Sequence, residues 1–423
     1  MWRKPCAILK KIQPSKEAAR VKTAANRSIY ADNAATTAVS AQVAQAMLPY
    51  LTQRFGNPSS LYASGREARE AVETARGQVA ALLGARPEEI YFTSGGSEAD
   101  TWAIRAAAAI QAQRGKRHIV TAGFEHHAVL HTVERLQREG FDVTLLNVHE
   151  NGVVQLRELE SALREDTALV TIMYANNEIG TIQPVSEIGM LCRERGLLFH
   201  TDAVQAVGHL PIDVEASRID LLSLSGHKFH APKGVGALYC HSGIPLPRLI
   251  EGGAQERGCR AGTENVPGIV GLGKAAALAQ EGMEERMRYV AALRDRLIDG
   301  VLQIERSRLN GSRRDRLPGN ASFCFEGVEG ESLVHLLDLQ GISASTGSAC
   351  ASGSTEPSHV LRAIGLPQEL ANGSLRLTLD ENNTAEDVDD ILEQLPPVIE
   401  RLRALSPLWE HIRTQDEGST EKG

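Results

Sequence analysis

The sequence, 423 residues long, predicts an α/β protein in which helices wrap a mostly parallel sheet, followed by a smaller α+β domain. Between about residues 88 and 240, short apolar runs alternate with amphipathic stretches, which is typical of strands joined by crossover helices. Beyond about residue 270 the pattern changes to a long helical stretch followed by the apolar–polar alternation of ASFCFEGV. A chain of this length also exceeds what one small core accommodates, which favours two domains.

The predicted strands and helices follow one another in pairs. Five strand-like runs lie in the first region and end in EIYFTSGG, HIVTAGFEHH, ALVTIMYANNE, LLFHTDAVQ and DLLSLSGHKF. DVTLLNV adds another strand, and helical periods such as SEADTWAIRAAAAIQAQ and AVLHTVERLQREG separate the runs. The second region reads as the helix IVGLGKAAALAQEGMEERMRYVAALRDRLIDGV, the strand ASFCFEGV, the helix GESLVHLLDLQG, the loop STGSACASGSTEPS and a last helix–strand pair that ends in SLRLTL.

These boundaries divide the chain into four parts. Residues 1–28 carry eight Lys and Arg against the single acid Glu17, and we expect a solvated basic extension, with a transit peptide as the alternative. Residues 38–280 are predicted to form the large domain, and residues 29–37 with 281–411 the small one. Residues 412–423 read as a C-terminal tail.

Composition excludes several classes of function. The net charge is −8, which argues against a nucleic-acid partner, because such a partner requires a concentrated basic surface. No apolar run approaches the roughly 18 residues of a membrane helix, so a membrane partner is not expected. The six cysteines form no CxxC pair, so we expect neither a disulfide framework nor a metal site, and a reducing, cytoplasmic location.

Residues with catalytic chemistry follow the predicted strands. The segments TSGGSE, FEHH, NNE, TDAVQ and SGHK each come directly after an apolar run. In an open α/β sheet, ligands bind in the crevice outside the carboxyl ends of the strands. The sequence therefore predicts a site along one edge of the sheet.

Four features of these segments together favour pyridoxal 5′-phosphate (PLP). TSGGSEAD has the form of a phosphate cradle at a helix N-terminus, although alone it is equally a simple N-cap. Asp202 ends an apolar strand, where a carboxylate requires a cation such as the protonated ring nitrogen of PLP. His126 offers a flat ring for stacking, and Lys228 offers an amine for a Schiff base, although a structural histidine and a surface lysine are the ordinary alternatives.

The motifs also resemble a known family. SLSGHKFHAPKGVGALY resembles the lysine segment of class V PLP enzymes of fold type I, and over residues 29–411 the chain resembles the cysteine desulfurases. The motifs that carry this resemblance are YADNAATT, FGNPSSLYASGREAR, FTSGGSEAD, YANNEIGTIQP, TDAVQAVG, ERGCRAGTENVPGIVG and STGSACASGSTEPSHVLRAIGL. The resemblance implies the PLP-dependent transferase fold type I, with a mostly parallel seven-stranded sheet. The long SGSACASGS loop resembles the NifS/IscS-like group that serves iron–sulfur cluster assembly.

The resemblance implies roles for individual residues. Lys228 would form the Schiff base, His126 would stack on the ring and shuttle protons, and Cys350 would accept the sulfur. Asp202 would pair with the ring nitrogen, and Gln205 and Asn177 would contact the side of the ring that bears the hydroxyl group. The phosphate contacts implied are Gly96, Ser97, Ser225, His227 and, from the other subunit of a homodimer, Thr263. Arg376 would bind the substrate carboxylate, with help from Asn33.

The implied reaction converts L-cysteine to L-alanine and leaves a persulfide on Cys350, for transfer to an acceptor protein such as an iron–sulfur scaffold. Cys350 lies in a polar, Gly- and Ser-rich loop that suits an exposed thiol. Cys192, Cys240 and Cys324 lie in apolar segments and are predicted to be structural, whereas Cys259 borders the site and a minor redox role stays open.

Three alternatives remain at this stage. A selenocysteine lyase and an aminotransferase share the fold, although transamination requires no cysteine loop. A non-catalytic scaffold would need none of the Lys, Asp and His set. One departure from the family is Asp380, where glycine or serine is usual; this acid either modifies the carboxylate site or lies on the surface.

Overall fold

The computed structural model describes residues 28–347 and 358–420. The predicted N-terminal extension over residues 1–28 therefore lies, except for its last residue, outside the described residues, and so does Cys350. Within the described ranges, none of the helices is both long and apolar enough to cross a membrane.

Twelve strands and thirteen helices lie in the described ranges. The strands are β1 (Ile29–Tyr30), β2 (Ile90–Thr93), β3 (His118–Ala122), β4 (Asp142–Leu146), β5 (Thr167–Thr171), β6 (Leu198–Asp202), β7 (Leu221–Ser225), β8 (Gly236–Cys240), β9 (Ser307–Leu309), β10 (Asn320–Phe325), β11 (Ile342–Ser343) and β12 (Ser374–Thr378). The helices are α1 (Ala41–Thr52), α2 (Ala63–Leu83), α3 (Gly96–Ala112), α4 (His127–Arg138), α5 (Leu156–Ala162), α6 (Val185–Glu194), α7 (Val266–Gln280), α8 (Met283–Val301), α9 (Gly330–Leu339), α10 (His359–Ala363), α11 (Gln368–Ala371), α12 (Ala385–Ala404) and α13 (Pro407–Thr420).

A seven-stranded sheet forms the centre of the larger core, in the order β2-β8-β7-β6-β5-β3-β4. The strands from β4 to β7 run parallel, whereas β8 is antiparallel to both β7 and β2. Strands β3, β5, β7 and β8 are buried along their whole length, as expected for uninterrupted apolar runs covered by helices on both faces. The predicted α/β class with a mostly parallel seven-stranded sheet is confirmed.

A second hydrophobic core surrounds a three-stranded antiparallel sheet, β12-β10-β9, and the parallel pair β1–β11. Its fully buried side chains include Phe323 and Phe325 of β10, Leu375 and Leu377 of β12, and Ile391 of α12. β1 pairs with β11, and Ile29 of β1 is buried in this core. The predicted domain boundaries themselves stay a prediction.

One predicted helix is divided in two. The stretch from Ile269 to Val301 reads as one long helix in the sequence, but α7 ends at Gln280 and α8 begins at Met283. Gly282 between them has φ +63°, a left-handed conformation that glycine adopts without the strain a Cβ would add.

Asp380 belongs to a bridge of ion pairs, formed by His230, Asp380 and Glu381, between the loop after β7 and the segment after β12. It is 6% exposed, and its Oδ2 lies 3.6 Å from Nε2 of His230, which also lies 3.5 Å from Oε2 of Glu381. Nδ1 of His230 lies 3.0 Å from the carbonyl oxygen of Ala38. A carbonyl only accepts, so Nδ1 carries a proton, and Nε2 is protonated only in the cationic ring. The extra acid is therefore a buried neighbour of the loop that carries Lys228.

The bridge shifts the pKa of two of its members in opposite directions. Burial lowers the pKa of His230, but the close contact with the negatively charged Glu381 outweighs burial, and the net pKa is raised. Burial raises the pKa of Glu381, but His230 outweighs it and lowers that pKa to about 2. The stability from His230 is present below its unfolded pKa and is lost as pH rises through its raised folded pKa. The stability from Glu381 is present above about pH 4.5 and is lost as pH falls towards about 2.

We predict that Glu381→Gln lowers the free energy of unfolding by about 0.5–1 kcal/mol at pH 5.5, because the pair is partly exposed, and by less at pH 8.5. Urea unfolding at equal protein and cofactor concentrations measures both values. Glu400→Gln, on the exposed face of α12, serves as the matched control and should change neither. An equal loss at both pH values would contradict the assignment of a protonated His230.

Candidate active site

A cavity of about 610 Å³ opens at the carboxyl ends of β5, β6 and β7 and at the N-terminus of α3. This volume lies within the usual range for small-molecule sites. It is lined by most of the residues that the sequence predicts for the site, namely Gly96, Ser97, His126, Asn177, Asp202, Gln205, Ser225, His227, Lys228 and Arg376. These residues come from loops far apart in the chain, which the parallel sheet brings to one edge.

Lys228 ends a short 3-10 turn that follows β7. Its Nζ donates to the carbonyl oxygens of Ala34 and Ala35, at 2.7 and 2.8 Å. Nε2 of Gln205 also donates to Ala34, at 3.0 Å, so the lysine and the glutamine meet on one segment, the ADNAATT motif. The carbonyl oxygen of Lys228 lies 2.9 Å from Nε2 of His209, which fixes the backbone beneath the amine.

Asp202 is the last residue of β6 and only 5% exposed. One carboxylate oxygen accepts from the backbone N–H of Val204 at 2.9 Å. Burial raises the pKa of Asp202, although His126 and Lys228 oppose the shift. A carboxylate oxygen of Asp100 lies within 4.8 Å of one of Asp202, and burial also raises the pKa of Asp100 well above its usual value. A cationic ligand atom is therefore what would stabilise the ionised form of Asp202.

The N-terminus of α3 forms a cradle of backbone N–H groups. The first intrahelical bond of the helix is donated by Ala99, so the N–H groups of Gly96 and Ser97 have no intrahelical acceptor. A Cβ at Gly96 would lie 2.5 Å from Cγ2 of Val204, so only glycine lets the helix end approach the cavity this closely. An anion is favoured at such a position, because both the N–H groups and the helix dipole are directed towards it.

Two histidines on the cavity wall have defined contacts. Nδ1 of His126 accepts from the backbone N–H of Ala128 at 3.1 Å, which places the proton of the neutral ring on Nε2. His227 has Nδ1 3.1 Å from Oγ1 of Thr36. Burial, together with Lys228 and Lys233, lowers the pKa of His227 to about 4, so this ring is neutral near pH 7.

Arg376 on β12 is 2% exposed and reaches the cavity from the second core. Nη2 donates to Oδ1 of Asp32 at 2.7 Å, and Nη1 donates to the carbonyl oxygens of Asn177 and Gly347 at 3.0 and 3.2 Å. Its Nε has no hydrogen-bond partner within the described ranges. A buried arginine with an unused donor suits a carboxylate ligand.

Two predicted site residues lie elsewhere, and a third falls outside the described residues. Asn33 does not line this cavity; its Nδ2 donates to the carbonyl oxygen of Thr378, and the neighbouring Asp32 is the residue that contacts Arg376. Thr263 is exposed and does not line the cavity, and its role towards a second subunit stays a prediction. Cys350 lies outside the described residues, but Gly347, three positions before it, lines the cavity.

The described cysteines match their predicted structural roles. Cys192, Cys240 and Cys324 are buried and free, and burial raises the pKa of their thiols to about 12, about 12 and about 11. Thiols with such high pKa values are poor nucleophiles at neutral pH. Cys259 is free and partly exposed.

Sequence reasoning missed several acids at the site, among them Asp32, Glu178 and, beside Asp202, Asp100. Asp32 precedes the predicted Asn33 in ADNAATT, and Glu178 follows the predicted Asn177 in YANNE. Glu178 lines the cavity and is only 5% exposed. The signal that could have found Asp32 and Glu178 is an acid beside a predicted ligand residue, at the end of an otherwise apolar run.

The residues present fit PLP. An amine, a buried carboxylate that needs a cation, and a helix N-terminus open to an anion line the same cavity. These groups match the aldehyde, the ring nitrogen and the phosphate of the cofactor, respectively. Lys228, Asp202, and the cradle at Gly96 and Ser97 would hold them.

Comparisons with known proteins agree with this chemistry. The family model of the class-V aminotransferases matches residues 29–391. The chain is 56% identical over 383 residues to "Cysteine desulfurase IscS" of Methanosarcina thermophila, covering 90% of this chain and 95% of that protein. Among solved structures, a "NIFS-LIKE PROTEIN" superposes with a TM-score of 0.83 at 40% identity, covering 88% of this chain and all of that one. "SspA in complex with cysteine" superposes with a TM-score of 0.73 at 38% identity, covering 83% and 99%.

We predict that Asp202→Asn weakens PLP binding about 100-fold or more, because loss of one partner of a buried charge pair costs about 3 kcal/mol. Titration of the cofactor-free protein with PLP, followed by its visible absorbance, measures the affinity. Asp142→Asn is the matched control, since Asp142 is exposed at the start of β4, at the opposite edge of the sheet. Unchanged affinity in Asp202→Asn would exclude a role for this carboxylate in holding the cofactor.

Proposed function

We propose that this chain uses its cavity to take sulfur from L-cysteine. The chain belongs to the class-V aminotransferase family. The protein is a PLP-dependent cysteine desulfurase. The observation that carries the residue assignments is that Lys228, Asp202 and Arg376 line one cavity whose wall includes Gly347, at the start of the cysteine loop.

Arg376 is proposed to bind the carboxylate of the substrate. Its Nε is buried and unused within the described ranges, while Asp32, Asn177 and Gly347 hold the two Nη groups from the other side. The guanidinium is therefore oriented before substrate arrives, and an incoming carboxylate would satisfy the remaining donor. The amino group and Cβ of cysteine then lie on the Lys228 side of the cavity.

Proton transfer is proposed to involve Lys228 and His126. When bound, PLP acts as an electron sink that weakens the Cβ–S bond of cysteine. The amine of Lys228 lies beside the substrate position and can carry a proton between substrate carbons once it is free. His126 lines the same cavity, and its Nε2 can pass a proton to Cβ of the substrate.

Cys350 is proposed to receive the sulfur. Three residues span at most about 10 Å, so a thiol at position 350 can reach the cavity from Gly347. Its thiolate attacks the sulfur of bound cysteine, an S–S bond forms, and the Cβ–S bond breaks. The electron pair of that bond stays on Cβ, which takes a proton, and the products are alanine and the Cys350 persulfide.

We further propose a homodimer, in which Thr263 contacts the phosphate in the other subunit. The exposed position of Thr263, outside its own chain's cavity, supports this arrangement. The free cysteines of the described ranges support a reducing, cytoplasmic location. The name IscS carried by the Methanosarcina thermophila relative supports delivery of the sulfur to an iron–sulfur scaffold protein.

We predict that Cys350→Ser lowers the rate of alanine formation in the presence of a thiol acceptor by about 10³-fold, because the attacking nucleophile is lost. The visible absorbance of the bound cofactor and its change on adding cysteine should persist, since neither requires the thiol. Cys259→Ser removes the partly exposed thiol of the described ranges and should keep the normal rate. A Cys350→Ser protein with normal alanine and persulfide production would contradict the proposed step.

A further inference from the structure

Glu178 is a buried acid on the cavity wall for which the proposed reaction has no use. Its backbone N–H donates to Oδ1 of Asn176 at 2.8 Å, and Nδ2 of Asn176 donates to the carbonyl oxygen of Phe124 at 3.0 Å. The backbone that carries Glu178 is therefore held rigidly. Burial raises the pKa of the carboxyl group, while Ser358, Arg376 and His126 oppose that shift.

Ser358 directs its hydroxyl proton at this carboxyl group. Its Oγ accepts from the backbone N–H groups of Val360 and Leu361, at 3.1 and 3.3 Å, as the N-cap of α10. These two bonds occupy both lone pairs of the hydroxyl, so its single proton is donated elsewhere. Oε2 of Glu178 lies 2.5 Å away and accepts it.

Gly347 lies against the same carboxylate oxygen. A Cβ built on Gly347 would be 3.2 Å from Oε2 of Glu178, and the residue has φ +97°, a conformation that favours glycine. The carbonyl oxygen of Gly347 accepts from Nη1 of Arg376 at 3.2 Å, and its N–H donates to Oγ of Ser345 at 3.1 Å. The chain is therefore fixed at Gly347 as well as at Ser358.

We infer that Glu178 is a positioning residue that joins Gly347 and Ser358, the two described residues on either side of the segment with Cys350, at the wall of the cavity. Holding the residues that flank a thiol at the wall of a cavity raises the effective concentration of that thiol at the cavity. Arg376 also donates to the Gly347 end, but Asp32 and Asn177 hold its guanidinium as well, so its position towards the substrate does not depend on Glu178 alone. This inference rests on the proposed role of Cys350.

The test compares Glu178→Ala and Ser358→Asp with the conservative variants Glu178→Gln and Ser358→Thr. Glutamine retains an oxygen that accepts from Ser358, and threonine retains the hydroxyl. Aspartate at position 358 still caps α10 but cannot donate when ionised, and it places a second carboxylate against Glu178. We expect Glu178→Ala and Ser358→Asp to lower the single-turnover rate of persulfide formation on Cys350 roughly 10-fold, and the conservative variants to stay within about 3-fold of the unchanged protein.

The second readout is cysteine affinity in the holoenzyme, from the change in cofactor absorbance. It should change less than about 3-fold in all four variants, which a merely disrupted cavity would not allow. Normal persulfide formation in Glu178→Ala and Ser358→Asp, or an equal loss of cysteine affinity and rate, would overturn the inference. A fully active Cys350→Ser protein would instead refute the proposed function, so the two failures are distinguishable.

Discussion

The site depends on one constraint, an almost fully buried carboxylate at the wall of the cavity. Asp202 ends β6 and is 5% exposed. Burial raises its pKa and so favours the neutral carboxyl group, which cannot form an ion pair with a cation. The neighbouring acids Asp100 and Glu125 have pKa values raised well above the usual range for the same reason. The raised pKa values of these acids and of Asp202 have the same cause, which is the cost of burying a charged carboxylate. A protonated ring nitrogen beside Asp202 would favour its ionised form and so would couple cofactor binding to the charge of this carboxylate.

The ADNAATT motif connects the two halves of the site. Its carbonyl oxygens at Ala34 and Ala35 hold the amine of Lys228, on the loop after β7, while its carboxylate at Asp32 holds Arg376 on β12. Lys228 follows β7 of the larger core, whereas Arg376 lies on β12 of the smaller one. A single short segment therefore holds both the amine of Lys228 and the guanidinium of Arg376, and so fixes how far apart these two groups lie. His230 lies in the loop that carries Lys228, and Asp380 and Glu381 lie just after β12. Their ion pairs therefore link the same two parts of the chain from outside the cavity.

Much of this arrangement could be predicted from the sequence, because it follows from local patterns. Apolar runs of strand length gave the parallel sheet, and the carboxyl-end rule located Asp202 and Lys228 at one edge. What the sequence could not show depends on contacts between distant residues. Asn33 and Asp32 are adjacent, and only the fold reveals that the acid meets Arg376 while the amide meets Thr378. Asp380 likewise reads as a surface acid or a carboxylate-site residue until the fold places it beside His230.

The account stands on sulfur passing from bound cysteine to one thiol held close to the cavity. The most direct measurement gives the holoenzyme one equivalent of L-cysteine without an acceptor, blocks free thiols, and maps the extra sulfur by peptide mass. We predict one added sulfur atom on the peptide that contains Cys350, matched by one equivalent of alanine. Alanine produced in full with the added sulfur on Cys259, or with no sulfur retained on the Cys350 peptide, would contradict the account.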